Sequence, residues 1–355
     1  MTALMFILGL AALVVGAELL VRGAGRLATT VGISPLVVGL TVVAFGTSAP
    51  EIAVSVNAAL SGNTDLAVGN VVGSNIFNVL FILGISALIT PLVVHAQIIR
   101  QEVPILIGSC LLLFAICSDD RIGPAEASML LAALGAYTVF LIVQSRKESQ
   151  AIQDEYAAEN VKQSNWDKPI YVQIALIIAG LGLLVQGSEW LVDAAVIFAK
   201  LLGVSDIVIG LTIVAAGTSM PEVATSIMAA IKGERDIAVG NVMGSNTFNI
   251  LGGLGITGLL APAGVMVPAS VMNFDLWVML AVCFACVPVF MTGREIARWE
   301  GAVFLVYYVA YVTYLILASQ QHAALAAYST AMMSFVVPIT VVTLVAVMIR
   351  RPAST

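Results

Sequence analysis

Charge is what this chain has least of. Only 10% of its 355 residues are Asp, Glu, Lys or Arg, against roughly 25% in soluble proteins, which excludes an ordinary water-soluble enzyme or binding domain. The net charge is −6 and no Lys/Arg-rich face exists, so a nucleic-acid partner is excluded as well. Histidine occurs twice, as His95 and His322, both near the ends of apolar runs. An intramembrane hydrolase would lack its base, and a His-ligated metal centre its ligands. The four cysteines, Cys110, Cys117, Cys283 and Cys286, all lie in apolar stretches. Cys283-x-x-Cys286 has ligand spacing but no polar companions, and reads as packing.

What fills the chain instead is apolar surface: 60% of residues are hydrophobic. Runs of about 20 apolar residues each suffice to cross a hydrocarbon core of about 30 Å. They predict an all-α membrane protein of eleven spans, near residues 4–28, 34–60, 66–89, 98–117, 125–143, 170–199, 206–231, 237–260, 271–291, 301–318 and 324–349. The first run precedes its arginines, Arg22 and Arg26, which fits a retained span with its N-terminus outside rather than a cleaved signal. That orientation puts every basic residue except Arg121 and Lys200 on the inner side, as the positive-inside rule requires. The predicted setting is a prokaryotic inner (plasma) membrane with the C-terminus cytoplasmic.

The chain is duplicated. Thr41-Val-Val-Ala-Phe-Gly-Thr-Ser-Ala-Pro-Glu51 reappears as Thr212-Ile-Val-Ala-Ala-Gly-Thr-Ser-Met-Pro-Glu222. Gly69-Asn-Val-Val-Gly-Ser-Asn-Ile-Phe-Asn78 reappears as Gly240-Asn-Val-Met-Gly-Ser-Asn-Thr-Phe-Asn249, always at an offset of 171. Five spans separate equivalent helices, and five is odd, so the second copy enters the membrane from the opposite face. The expected architecture is two inverted five-helix repeats, ten transmembrane helices in all, with an eleventh C-terminal helix outside the duplication. Its parts are a first repeat over 1–143, a cytoplasmic linker over 144–168, an inverted second repeat over 169–320, and an accessory helix and tail over 321–355. Inverted repeats are a transporter architecture, with the substrate held at mid-membrane between broken helices.

Glu51 and Glu222 each follow a proline inside such a run. A charged side chain at the centre of a span costs at least about 2.5 kcal/mol and marks function by default. A proline there removes one backbone hydrogen bond and frees a carbonyl. Counting at 1.5 Å per residue puts Glu51 about 6 Å from the middle of its span; Asn78, Glu222 and Asn249 are similarly deep. Thr47 and Glu51 are expected on one helical face at i, i+4, as are Ser74/Asn78, Thr218/Glu222 and Ser245/Asn249. The set is oxygen-only, suited to hard cations such as Ca²⁺ and Na⁺ rather than Zn²⁺ or Cu⁺. Its plain structural reading, a buried acid with interhelical hydrogen bonds, would require the same coincidence twice.

The duplicated Gly-Thr-Ser-x-Pro-Glu and Gly-Ser-Asn-x-Phe-Asn motifs resemble the alpha repeats of the calcium/cation antiporter superfamily, nearest its prokaryotic sodium/calcium exchangers. The resemblance implies that Glu51 and Glu222 bind Ca²⁺ and Na⁺ alternately. It implies backbone carbonyls from Thr47 and Thr218 at the Ca²⁺ position. Ser48, Ser74, Ser219 and Ser245, with the carbonyls of Ala44 and Ala215, would complete the flanking Na⁺ positions, and Asn78 and Asn249 would line the centre. Some relatives carry aspartate where this chain has Asn249, so here the centre has two carboxylates instead of three. The function expected is Ca²⁺/Na⁺ antiport by alternating access, with the ions as cargo, no cofactor and a monomer as the working unit. A Ca²⁺/H⁺ exchanger and a gated cation channel are the rivals.

Three lesser expectations complete the reading. Gly62-x-x-Asp65 and Gly233-x-x-Asp236 read as turns with helix caps. Glu18 has Arg22 as a possible i+4 partner, whereas the equivalent of Arg22 beside Glu189 is Asp193, which cannot pair. Both Glu18 and Glu189 are therefore expected to be structural or gating residues.

Overall fold

The apolar runs do become long helices. In the computed structural model, which describes residues 2–145, 167, 169–202, 213 and 215–350, eight helices are long and apolar enough to cross a membrane. They are α1 (Thr2–Val31), α4 (Thr64–Ile89), α5 (Ile98–Asp119), α6 (Pro124–Gln144), α7 (Ile170–Leu201), α10 (Val271–Met291), α11 (Arg298–Ser319) and α12 (Leu325–Ala346). A ninth span is broken: α2 (Pro35–Thr47) and α3 (Ala49–Leu60) meet at 41°. The seventh expected span lies partly outside the described residues; its described part is the helical turn Ala215–Gly217 and α8 (Met220–Lys232). The eighth, α9, runs from Arg235–Phe248 through a π-helical turn at Asn249–Gly253 into Leu254–Leu260. Nearly all of the 144–168 linker lies outside the described residues.

Glycine decides how the halves meet. A Cβ on Gly9 would stand 2.8 Å from the carbonyl of Gly187, one on Gly16 2.9 Å from that of Gly180, and one on Gly23 2.9 Å from that of Gln173. Only bare backbones can approach so closely, the device by which small residues pack membrane helices. The numbers rise along α1 as they fall along α7, so these equivalent helices are antiparallel and the repeats inverted.

Two short ribbons give the same answer independently. Leu92–Val93, after α4, pairs with Glu295–Ile296, after α10, and Arg121–Ile122, after α5, pairs with Val265–Met266, after α9. The loops after α5 and α9 therefore share one face of the bundle. Parallel repeats would have paired equivalent loops with each other. Exchanging the halves converts one ribbon into the other.

The duplication extends to helix irregularities. Asn78–Leu83 in α4 and Asn249–Gly253 in α9 are both π-helical, as are Ile98–Glu102 in α5 and Val271–Asp275 in α10. Such turns collect at functional sites. The core lies in α4, α9 and their neighbours, whereas α12 has no buried residue and is held by the Tyr307 hydroxyl, which donates to Thr340 Oγ1 (2.6 Å). It is an outer addition to the repeats.

Local corrections follow from tertiary partners. Glu18 does not pair with Arg22: Lys232 takes Glu18, and Arg22 Nε donates to Asp167 (2.7 Å), which Arg26 also meets at 3.1 Å. Glu189 accepts from Gln186. The turns at Gly62 (φ +80°) and Gly233 (φ +83°) form as expected. Asp65 and Asp236 do not cap their helices, since Asn63 and Glu234 hold the cap positions and the acids sit in the first turn. There they face the positive end of the helix.

Candidate functional site

Pro50 explains the break. It has no N–H to give the carbonyl four residues earlier, and its ring fits the first turn of a helix. The chain therefore ends α2 at Thr47, turns at Ser48 (φ −79°, ψ −1°) and restarts as α3 with Pro50 and Glu51 in its first turn. Pro221 and Glu222 open α8 in the same way after Ser219. Thr47 and Glu51 therefore share no helical face, contrary to the i, i+4 expectation; they flank a break. Thr218 and Glu222 do likewise. The C-terminal carbonyls of one half-helix and a carboxylate at the N-terminus of the next come to the same spot, as in transporter cation sites.

The two halves complete one another here. Ser219 Oγ donates to Glu51 Oε1 at 2.8 Å, and Ser48 Oγ donates to Glu222 Oε1 at 3.2 Å. Each glutamate thus takes a serine from the opposite repeat, and all four side chains are fully buried. Ser245 Oγ stands 3.5 Å from both Glu222 Oε1 and the Ala44 carbonyl, and Thr47 Oγ1 is 3.4 Å from Ser245 Oγ. The Ala44 carbonyl is therefore at the site. Ala215 begins the equivalent helical turn.

Among the buried oxygens without a hydrogen-bond partner among the described residues are five from the expected site: Glu51 Oε2, Glu222 Oε2, Ser74 Oγ, Asn78 Oδ1 and Asn249 Oδ1. Unmatched buried polar atoms are costly and call for an explanation. These five are contributed by both repeats, three from the first and two from the second. Four are carboxylate or carbonyl oxygens that can only accept, which suits a hard cation. Among the described residues no group of three His, Cys, Asp or Glu side chains could hold a metal by itself, so a cation here would also need hydroxyl, amide and backbone oxygens. The cysteines stand apart, all free and buried, with Cys110 Sγ 3.6 Å from Cys283 Sγ.

Sequence reasoning missed the asparagines that brace this layer. Asn70 Nδ2 donates to the Glu51 carbonyl (3.1 Å) and Ser55 Oγ (3.0 Å), while its Oδ1 accepts from Thr218 Oγ1 (3.4 Å). Asn241 repeats the pattern with the Glu222 carbonyl, Ser226 and Thr47. Each threonine hydroxyl is therefore taken up in bracing. Asn75 and Asn246 bridge α4 and α9 through each other's backbone carbonyls, at 3.3 Å both ways. The signal that could have found all four is the 171-residue offset, which they share.

Inverted five-span halves, broken helices and an acid from each half at one buried layer define an integral membrane transporter of the secondary-antiporter class. A family model described as "Sodium/calcium exchanger protein" matches residues 1–143 and 172–317, and the chain belongs to that family. Sodium/calcium exchanger MaX1 of Methanosarcina acetivorans is 32% identical over 343 residues, covering 88% of this chain and 97% of its own. Inner membrane protein YrbG of Escherichia coli (strain K12) is 35% identical over 286 residues, covering 80% and 87%. Among solved structures, the sodium-calcium exchanger NCX_Mj superposes with a TM-score of 0.75 at 29% identity, covering 88% of this chain and 98% of that one. The family's ions are substrates, not resident cofactors.

Proposed function

We propose that this protein exchanges Ca²⁺ for Na⁺ across a prokaryotic plasma membrane by alternating access, with Glu51 and Glu222 as the shared anionic ligands. The observation that carries the reading is the group of unmatched buried oxygens contributed by both repeats. Two carboxylates supply about −2, which one Ca²⁺ neutralises. Ser48, Ser74, Ser219 and Ser245, the carbonyls of Thr47, Thr218, Ala44 and Ala215, and the amide oxygens of Asn78 and Asn249 complete the cation positions. The working unit is the monomer, with the N-terminus outside, the C-terminus and the 144–168 linker in the cytoplasm, and the repeats bounded at 1–143 and 169–320. The basic residues support that orientation, and the likeness to inner membrane protein YrbG supports the inner membrane.

The test is counter-ion flux. Proteoliposomes loaded with Na⁺ should accumulate Ca²⁺ when Na⁺ is diluted outside, and should stop doing so when Glu51 or Glu222 is changed to Gln. Accumulation that follows an imposed pH gradient and ignores Na⁺ would replace Na⁺ by H⁺ as the counter-ion. Ca²⁺ flux that never runs uphill would refute exchange itself.

A further inference from the structure

Four asparagines meet where α4 crosses α9, and their hydrogen bonds have only one consistent direction. A backbone carbonyl can only accept, and an asparagine side chain donates only through its amino group. The contact from Asn75 to the Asn246 carbonyl (3.3 Å) therefore uses Asn75 Nδ2, and its mirror image uses Asn246 Nδ2. With both amino groups committed, both side-chain oxygens face the other way and accept. Asn75 Oδ1 takes Asn249 Nδ2 (3.4 Å), and Asn246 Oδ1 takes Asn78 Nδ2 (2.9 Å). The amino groups of Asn78 and Asn249 are thereby used, and their Oδ1 atoms are left buried with no donor among the described residues. That is the same condition as the second oxygens of Glu51 and Glu222.

We propose that Asn75 and Asn246 are positioning residues for the cation site: they hold the amides of Asn249 and Asn78 with their carbonyls directed toward the bound ion. An amide can turn by 180° about its last bond, and the two orientations differ only in which end meets which neighbour. Turned one way, Asn249 offers a cation an oxygen; turned the other, it offers an N–H dipole that repels it. The backbone carbonyls of residues 246 and 75 are the fixed references: the first sets Asn75 and through it Asn249, the second sets Asn246 and through it Asn78. This rests on the cation site proposed above. It goes beyond that site by assigning residues that bind no ion themselves.

A merely structural asparagine would brace α4 against α9 and nothing more, so the test is a double-mutant cycle on ion affinity. Equilibrium ⁴⁵Ca²⁺ binding is measured on the purified full-length protein and on N75A, N249A and the double variant. Losing one oriented ligand should weaken Ca²⁺ binding roughly fivefold to tenfold, and N75A should reproduce most of the N249A loss. The double variant should bind no worse than N249A alone, because Asn75 acts through Asn249. Losses that multiply in the double variant, or a wild-type affinity for N75A beside a weakened N249A, would overturn the proposal. If N249A and Glu51→Gln both bind Ca²⁺ like the wild type, the cation site itself is wrong, which is a distinguishable failure. Should N75A not fold, N246A and N78A supply the same cycle on the other half.

Discussion

Replacing Glu51 by glutamine tests the charge of the site with little change of shape. The new amide oxygen could still accept the Ser219 hydroxyl in place of Glu51 Oε1, which receives it at 2.8 Å. The unmatched Oε2 would become an amino group, a donor where a ligand is needed. Removing one partner of a buried charge pair costs about 3–5 kcal/mol, and each 1.4 kcal/mol is tenfold, so Ca²⁺ should bind roughly 100- to 4,000-fold more weakly. The loss should also be selective. With Glu222 alone the site carries about −1, which one Na⁺ balances, whereas Ca²⁺ leaves a buried excess of about +1. Equilibrium ⁴⁵Ca²⁺ binding to the purified protein, with Na⁺ as competitor, reads both effects. Glu222→Gln should behave alike, and Glu51→Asp, which keeps the charge but withdraws it by one methylene, should fall between. Ca²⁺ affinity within about threefold of wild type in both glutamine variants would refute the reasoning, as would equal losses for Ca²⁺ and Na⁺.

Further outcomes follow from other parts of the molecule. A Cβ on Gly180 would lie 2.7 Å from Leu20 N and 2.8 Å from the Gly16 carbonyl, so Gly180→Leu should lower the thermal unfolding midpoint by forcing α1 from α7, an overpacking cost of about 1–3 kcal/mol or more. Gly182→Ala, where nothing lies within 4 Å, should leave it unchanged, and equal midpoints for both variants would contradict the packing argument. Burial by itself would raise the pKa of Asp167, but the Arg22 hydrogen bond and the charges of Arg26 and Arg22 outweigh it and hold the carboxyl below its ordinary value. Its stabilisation is therefore full above the unfolded value of about 3.9 and is lost as pH falls through the lower folded value. Asp167→Asn should destabilise the protein at pH 7, and the gap should narrow in strong acid; a gap that is constant with pH would refute the assignment. If three Na⁺ exchange for one Ca²⁺, each cycle moves one charge, worth about 2.3 kcal/mol per 100 mV, or roughly 40- to 50-fold in the Ca²⁺ ratio. Valinomycin-clamped proteoliposomes measure that ratio, and indifference to voltage would mean electroneutral exchange.

The spans and the inverted duplication were legible because each is a pattern within the sequence itself: apolar length for the spans, a constant offset for the repeat, and an odd span count for the inversion. Glu51 and Glu222 were legible because an acid in an apolar run has few innocent explanations. The partners of those acids were not. Ser219 serves Glu51 from 168 residues away, and local spacing speaks only of neighbours on one helix. That is why Glu18 was set beside Arg22 when its partner is Lys232, and why Thr47 and Glu51 were put on one face of a helix that breaks between them. The bracing asparagines stood inside the repeated motif, but a neutral amide in a membrane span reads equally well as interhelical glue. Only the directions of their hydrogen bonds separate the two roles.

The crossed serines bear on why such a site would exchange ions and not leak them. Neither repeat holds a complete set of partners for its own glutamate, since Ser48 serves Glu222 and Ser219 serves Glu51. A cage assembled from both halves changes whenever one half moves against the other, so opening to one face and binding are not independent events. Without ions, closing the halves would bury two like charges with unmatched oxygens, and burying uncompensated charge is expensive. With one Ca²⁺, or enough Na⁺ to balance the glutamates, that cost falls away and the closed form becomes accessible. On the proposed reading, the same two carboxylates that select the ion thus also forbid the empty return, and a transporter that cannot return empty is an exchanger.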